Sequence, residues 1–260
     1  MTPTTTNVPD ALGGKMSLID HLRELRSRVF KALIALAIGA VVGFLLYNRT
    51  LDILVRPYCH ILPAGKPCVL RVTDPLEQFA VRMKISVYVG FLLSSPFILW
   101  QVWKFITPGL YEKEKRYAVP FVLSSALLFI AGAAVAYWTI EQALQFFVSL
   151  GGDKLESFYS PGPYLRLVTF MMLAFGLCFE FPIVLIFLQL ARVLKYQQLV
   201  KARRFAIVGI WVFVAVATPS GDPYSLTALS VPMCLFYEVA IFWGWLRSKR
   251  KRKAEAEAQA

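Results

Sequence analysis

Acidic side chains are scarce in this sequence: 16 Asp and Glu stand against 28 Lys and Arg in 260 residues, and all charged residues together make up 17%. A soluble domain usually carries about 25% charged residues, so a water-facing globule has too little polar surface to draw on. The net charge of +12 does not point to nucleic acid either, because a soluble basic domain needs the same missing polar surface. Histidine is nearly absent. His21 and His60 are the two present, and both fall outside the long apolar runs, which leaves an intramembrane hydrolase without an obvious base. There is no Walker A loop, no GxGxxG after a strand, no HExxH and no GxSxG, which counts against an enzyme and against ATP-driven transport by this chain alone. No catalytic residue, metal or cofactor is expected. No repeat relates the two halves, so the inverted-repeat transporter folds lose support.

What is abundant is apolar: 57% of residues are hydrophobic and the mean hydropathy is +0.57. A helix needs about 20 apolar residues to cross about 30 Å of hydrocarbon. Six runs stand out, at 29–47, 85–106, 117–140, 167–190, 205–218 and 224–246. An all-α membrane protein with six transmembrane helices over 17–247 is therefore expected. It is flanked by a polar, disordered tail at 1–16 with no apolar core for a signal peptide, and by a basic, then Ala- and Glu-rich tail at 248–260. The run at 205–218 would climb only about 20 Å as a helix, so the last hairpin is expected to sit low and thin the bilayer.

Most cations fall on one side of this topology. Lys15, Arg23, Arg26 and Arg28 precede the first run and Lys31 lies at its start. Lys104 lies at the end of the second and Lys113, Lys115 and Arg116 follow it, Arg192, Lys195, Lys201, Arg203 and Arg204 follow the fourth, and Arg247, Lys249, Arg250, Lys251, Arg252 and Lys253 follow the last. Cations are retained on the cytoplasmic side during insertion, so both termini are expected in the cytoplasm. Cys59 and Cys68 then share the first exoplasmic loop, as a disulfide or as two inert thiols. Cys178 and Cys234 suit packing positions. Pro96, Pro120, Pro182 and Pro232 each remove a backbone donor from a helical run and predict kinks, while Gly39 and Gly43 form a GxxxG pattern that permits close helix approach.

Acids inside hydrocarbon need a reason. Glu180, in the fourth run, is either a polar group in a water-accessible cavity or a carboxyl joining two helices, and Glu238 in the last run has the same alternatives. On the cytoplasmic side, Leu18, Leu22 and Leu25 recur at helical spacing and predict an amphipathic interfacial helix. Within it Glu24 is placed to pair with Arg28 one turn on. Glu114 lies in the charged loop 110–116.

The segments 21–28 (HLRELRSR), 95–111 (SPFILWQVWKFITPGLY) and 175–182 (FGLCFEFP) resemble the TatC family, the six-span receptor subunits of the twin-arginine protein translocase. The similarity covers about 17–246. It implies a kinked bundle with a concave membrane-facing side, in the bacterial cytoplasmic membrane. It also implies recognition of twin-arginine signal peptides on folded precursors, because paired guanidinium forks are best met by carboxylates. Carried over by motif, Glu24 and Glu114 form the recognition pair, Phe105 shapes the nearby surface, and Arg26 and Arg28 flank it. By the same resemblance Glu180 contacts partner subunits, and Pro57 and Asp222 occupy family positions in the exoplasmic loops. The turn 218–223 (TPSGDP) is one residue longer than the usual family TPPD, and Leu226 stands where Gln is common. TatB-like and TatA-like single-span subunits, further copies of the chain and energy from the proton-motive force complete the expectation. The rival reading is a proton-coupled secondary transporter of a small solute with Glu180 as its site.

Overall fold

The computed structural model describes residues 18–62, 67–72, 74–106, 118–151 and 160–257, and these form eight helices: α1 (Leu18–Leu45), α2 (Tyr47–Ile61), α3 (Pro75–Ile106), α4 (Ala118–Gly151), α5 (Pro161–Phe179), α6 (Phe181–Leu190), α7 (Tyr196–Ala217) and α8 (Pro223–Glu257). No strand occurs among the described residues.

Five stretches are long and apolar enough to cross a membrane: Ile19–Leu45, Pro75–Phe105, Val119–Gly151, Pro161–Leu190 and Pro223–Arg250. The run at 205–218 is not among them. Its helix begins earlier, at Tyr196, so 22 residues give it a length of about 33 Å. The backbone is long enough; the first turns, with Lys201, Arg203 and Arg204, are too polar.

The segment expected to lie in the interface does not form a separate helix. No Gly or Pro interrupts the chain between Leu18 and Leu45 before Gly39, so α1 runs unbroken through 28 residues. The expected first exoplasmic loop also begins as a helix. Beyond Leu46 the chain turns into α2, whose Leu54, Pro57 and Tyr58 are buried.

Glycine sets the tightest contact in the bundle. An added Cβ at Gly39 would meet the Gly90 carbonyl oxygen at 2.6 Å, and one at Gly43 would meet the Ser86 carbonyl oxygen at 2.5 Å. These are backbone atoms that cannot swing aside, so α1 and α3, the most extensively packed pair, touch main chain to main chain. The principal core lies deeper, where Phe175 and Met171 of α5, Ala136 and Ile140 of α4, and Leu229 and Met233 of α8 are sealed from outside.

The four prolines behave differently from one another. Pro120 falls in the first turn of α4, where its N–H would have no partner anyway, so the expected kink has no cause there. Pro96 sits inside α3, and the Leu92 carbonyl that its N–H would have bonded accepts the Ser95 hydroxyl at 2.8 Å. Pro232 lies inside α8. Pro182 ends a helix: α5 stops at Phe179, the Glu180 N–H bonds Leu177 at 3.1 Å, and α6 restarts at Phe181. The fourth span is thus two helices joined at Glu180. α6 closes with Arg192 in the left-handed region (φ 59°), its N–H on the Gln189 carbonyl and the Val193 N–H on Leu188, which is the Schellman arrangement.

Candidate functional site

Glu24 projects from the second turn of α1. Its Oε1 accepts Arg28 Nε at 3.0 Å and also Arg28 Nη2, so the i,i+4 pair anticipated from spacing forms. The other oxygen, Oε2, is buried and has no hydrogen-bond partner. A hollow of about 510 Å³ opens beside the pair, lined by Asp20, Arg23, Glu24, Arg28, Lys31 and Lys104, with Ser27 completing the wall. Four cations thus surround a carboxylate that keeps one acceptor in reserve.

Phe105 reaches this region through a contact that sequence spacing cannot reveal. The His21 imidazole stacks on its ring, with centroids 4.4 Å apart and planes 20° from parallel. This pins the start of α1 to the end of α3 and brings Lys104, which lies over the Trp100 ring at 5.6 Å, to the same hollow. His21, Asp20 and Lys104 are site residues that sequence reasoning passed over. The HLRELRSR block and the Asp20 before it held the signal for the first two, but Lys104 depends on the packing of α1 on α3. Arg26 is exposed and does not line the hollow, since two residues of helix turn it to another side. Glu114 lies outside the described residues.

A second polar locus occupies the break at Glu180. Its Oε1 is buried without a partner, and the Ser125 hydroxyl of α4 lies beside the carboxyl. Ser125 Oγ in turn accepts Trp103 Nε1 of α3 at 3.0 Å. Trp103 is fixed between Phe121 and Phe187, so α3, α4 and the α5–α6 break converge on one acid. Glu238 differs: it meets Arg203 of α7 at 2.9 Å, an ion pair joining the last two helices.

At the other end, Asp222 is fully buried and accepts the Ser225 N–H through Oδ1 at 2.7 Å, the N-cap of α8 with Pro223 in the first helical position. Gly221 takes φ +60° just before it, a conformation open to glycine. The longer turn therefore keeps Asp222 in register as a cap. Its Oδ2, with Ser220 Oγ and Ser225 Oγ, is buried and unpaired.

Pro57 lies inside α2, where its missing N–H would leave the Ile53 carbonyl unbonded. Tyr137 Oη of α4 donates to that oxygen at 2.7 Å, and Tyr164 Oη of α5 donates to Leu54 O at 2.7 Å. The proline thus creates the acceptor that ties α2 across the bundle. Cys59 and Cys68 form a disulfide with Cα atoms 5.3 Å apart, closing the chain that leaves α2. The described residues hold no cluster of three or more potential metal ligands.

Taken together, spans, glycine-mediated packing and a carboxylate hollow at one end define a multi-pass, all-α membrane protein. The model of the family described as Sec-independent protein translocase protein (TatC) matches residues 20–232, and the chain belongs to that family. It is 43% identical over 246 residues to the Sec-independent protein translocase protein TatC of Frankia casuarinae, covering 91% of this chain and 67% of that one. The Aquifex aeolicus relative of the same description is 38% identical over 239 residues, covering 91% and 98%. A solved structure described as the twin arginine translocase receptor TatC in DDM superposes with a TM-score of 0.72 at 38% identity, covering 86% of this chain and 99% of that one. The protein is a component of a protein translocase, which the solute-transporter reading does not fit.

Proposed function

We propose that this protein is the signal-peptide receptor of its translocase, with the Glu24 hollow as part of the binding site. The carrying observation is the state of Glu24: one oxygen is held by Arg28 and the other is buried and unpaired. A guanidinium arriving at the hollow gains a charge-assisted bond to an acceptor already aimed and desolvated. The planar fork of Arg can direct two N–H groups at that one oxygen, as Arg28 does at the other, whereas Lys presents a point charge, which supplies a reason for a twin-arginine preference. The ring of cations opposes unselective capture of basic peptides, since a substrate must satisfy Glu24 to offset that repulsion. Glu114 completes the recognition pair in this proposal, with Phe105 and His21 shaping the adjoining surface and Arg26 and Arg28 flanking it.

In the same proposal α7 is a sixth span and both termini are cytoplasmic. Support comes from the cations gathered at the Glu24 end of α1 and α3, at the start of α7 and at the end of α8. Glu180 serves as the intramembrane contact for single-span TatA-like and TatB-like partners, supported by its unpaired oxygen at a helix break, and further copies of the chain assemble around them. The sequence carries no Walker A loop, and the proton-motive force is the proposed energy source.

Photo-crosslinking of a twin-arginine signal peptide to the membrane-embedded protein tests the reading. We expect Glu24→Gln to weaken peptide binding by about tenfold, the loss of one charge-assisted bond, and a Lys-Lys peptide to lose binding to the native chain. Equal crosslinking of the Arg-Arg and Lys-Lys peptides would sink the proposal.

A further inference from the structure

Hydroxyls buried in the spans have a habitual partner. Ser86, Ser94, Thr139 and Thr169 each donate to the carbonyl four residues back in their own helix, at 2.6 to 3.1 Å, which satisfies the group without help from a neighbouring helix. Ser125 of α4 departs from this habit. It is fully buried, yet among the described residues its hydroxyl donates to no carbonyl, and its oxygen accepts Trp103 Nε1 of α3 at 3.0 Å. A serine hydroxyl has one proton to give. With the oxygen turned to the indole, that proton is left for the Glu180 carboxyl beside it.

Trp103 has little freedom to do otherwise. Its ring lies 5.1 Å from that of Phe121 and 5.5 Å from that of Phe187, edge-on to the second. A buried indole N–H needs an acceptor, and packing supplies Ser125. A chain of three side chains therefore runs from α3 through α4 to the break between α5 and α6. Glu180 itself is half-buried. Leu177, three residues before it, and Val184, four after it, are 59% and 49% exposed, so the acid interrupts an outward apolar stripe along which another helix can lie. Ordering a loose carboxyl at the moment of docking would weaken such a contact, and a carboxyl held beforehand avoids that cost.

We infer that Ser125 and Trp103 are positioning residues for Glu180, a role that rests on the reading of Glu180 as the partner contact. The indole holds the Ser125 hydroxyl, and the hydroxyl holds the carboxyl in the orientation in which a single-span partner helix meets it. Without the indole N–H, Ser125 turns to the Phe121 carbonyl four residues back, as the other buried hydroxyls do, and releases Glu180.

Two measurements on the full-length protein test the assignment: co-purification of a co-expressed TatB-like single-span subunit, and the infrared band of the Glu180 carboxyl group, identified by its loss in Glu180→Gln. Ser125→Ala and Trp103→Phe should each lower retention of the partner by about fivefold and shift the band, since both remove the same donor from Glu180. Trp103→Phe keeps an aromatic ring between Phe121 and Phe187, so lost packing does not account for its effect. Added to Glu180→Gln, neither change should lower retention further. If Glu180→Gln loses the partner while Ser125→Ala or Trp103→Phe retains it in full, the inference is overturned and the partner reading stands. An unshifted band in either variant overturns it as well. Full retention by Glu180→Gln would overturn the partner reading and the inference with it.

Discussion

Ile53 shows how one residue's missing hydrogen bond becomes another's contact. Pro57 cannot donate to the Ile53 carbonyl, and Tyr137 does so from α4. Removal of that hydroxyl by Tyr137→Phe should cost about 0.5 to 1.5 kcal/mol of stability, the net worth of a neutral hydrogen bond. In a Pro57→Ala background the restored N–H supplies the missing donor, so the same Tyr137→Phe change should cost much less. A double-mutant cycle read by thermal melting in detergent measures the coupling, and equal costs in the two backgrounds would show that the two residues are independent. Asp222 invites a similar comparison. Asp222→Ala removes the cap of α8 and should destabilise by about 1 to 2 kcal/mol, whereas Asp222→Asn keeps an acceptor at the same place and should lose little. At Glu24 the decisive fact is also one atom, the unpaired Oε2. Sequence spacing foresaw the pairing with Arg28 but could not say that the pair leaves an oxygen free.

At the scale of elements, the α1–α3 interface rests on the absence of side chains. A methyl group at Gly39 or Gly90 would run into main chain of the facing helix, so Gly90→Val should separate the helices and cost about 3 kcal/mol or more. The consequence would extend to function, because the His21–Phe105 stack beside the residues of the Glu24 hollow spans the same pair of helices. Reduced peptide crosslinking at temperatures where the variant is still folded is the expected sign. The disulfide acts on a shorter element. It closes a loop of nine residues' separation, and by the chain-entropy estimate Cys59→Ser/Cys68→Ser should lower stability by about 2.5 to 3 kcal/mol. Comparison of the melting temperatures of the variant and the native chain checks it. The break between α5 and α6 was visible as Pro182, yet the same residue type at Pro120 has no such effect. Position within the helix decides between the two, and that position depends on where α4 begins.

For the whole molecule, the surplus of cations maps onto topology. The cationic ends of α1, α3, α7 and α8 on one side, with Cys59–Cys68 and Asp222 on the other, form the arrangement proposed for two cytoplasmic termini. Pro219, in the same turn, is exposed; Pro219→Cys in intact cells should react with a membrane-impermeant thiol reagent added outside, and labelling confined to inverted vesicles would reverse the orientation. Many apolar side chains point outward, including Ile38 at 62%, Val41 at 63% and Val216 at 83% exposure. Such surface is untenable in water and ordinary against acyl chains. The bundle thus buries little of α1 in itself and relies on lipid for the rest.

The composition and order of residues determined the class of this protein without help. Sixteen acids against an apolar majority exclude a soluble globule, long apolar runs demand helices that satisfy their own backbone, and the HLRELRSR and FGLCFEFP blocks carry the family. These properties are local, so they can be read along the chain. What lay beyond them is set by contacts between residues distant in sequence. His21 meets Phe105, Tyr137 meets Ile53, and Ser125 meets both Trp103 and Glu180. The helical character of α2 and the unbroken course of α1 belong to this second group. The tertiary structure alone decided which polar groups keep a free valence, because that depends on which neighbours packing brings within about 3 Å.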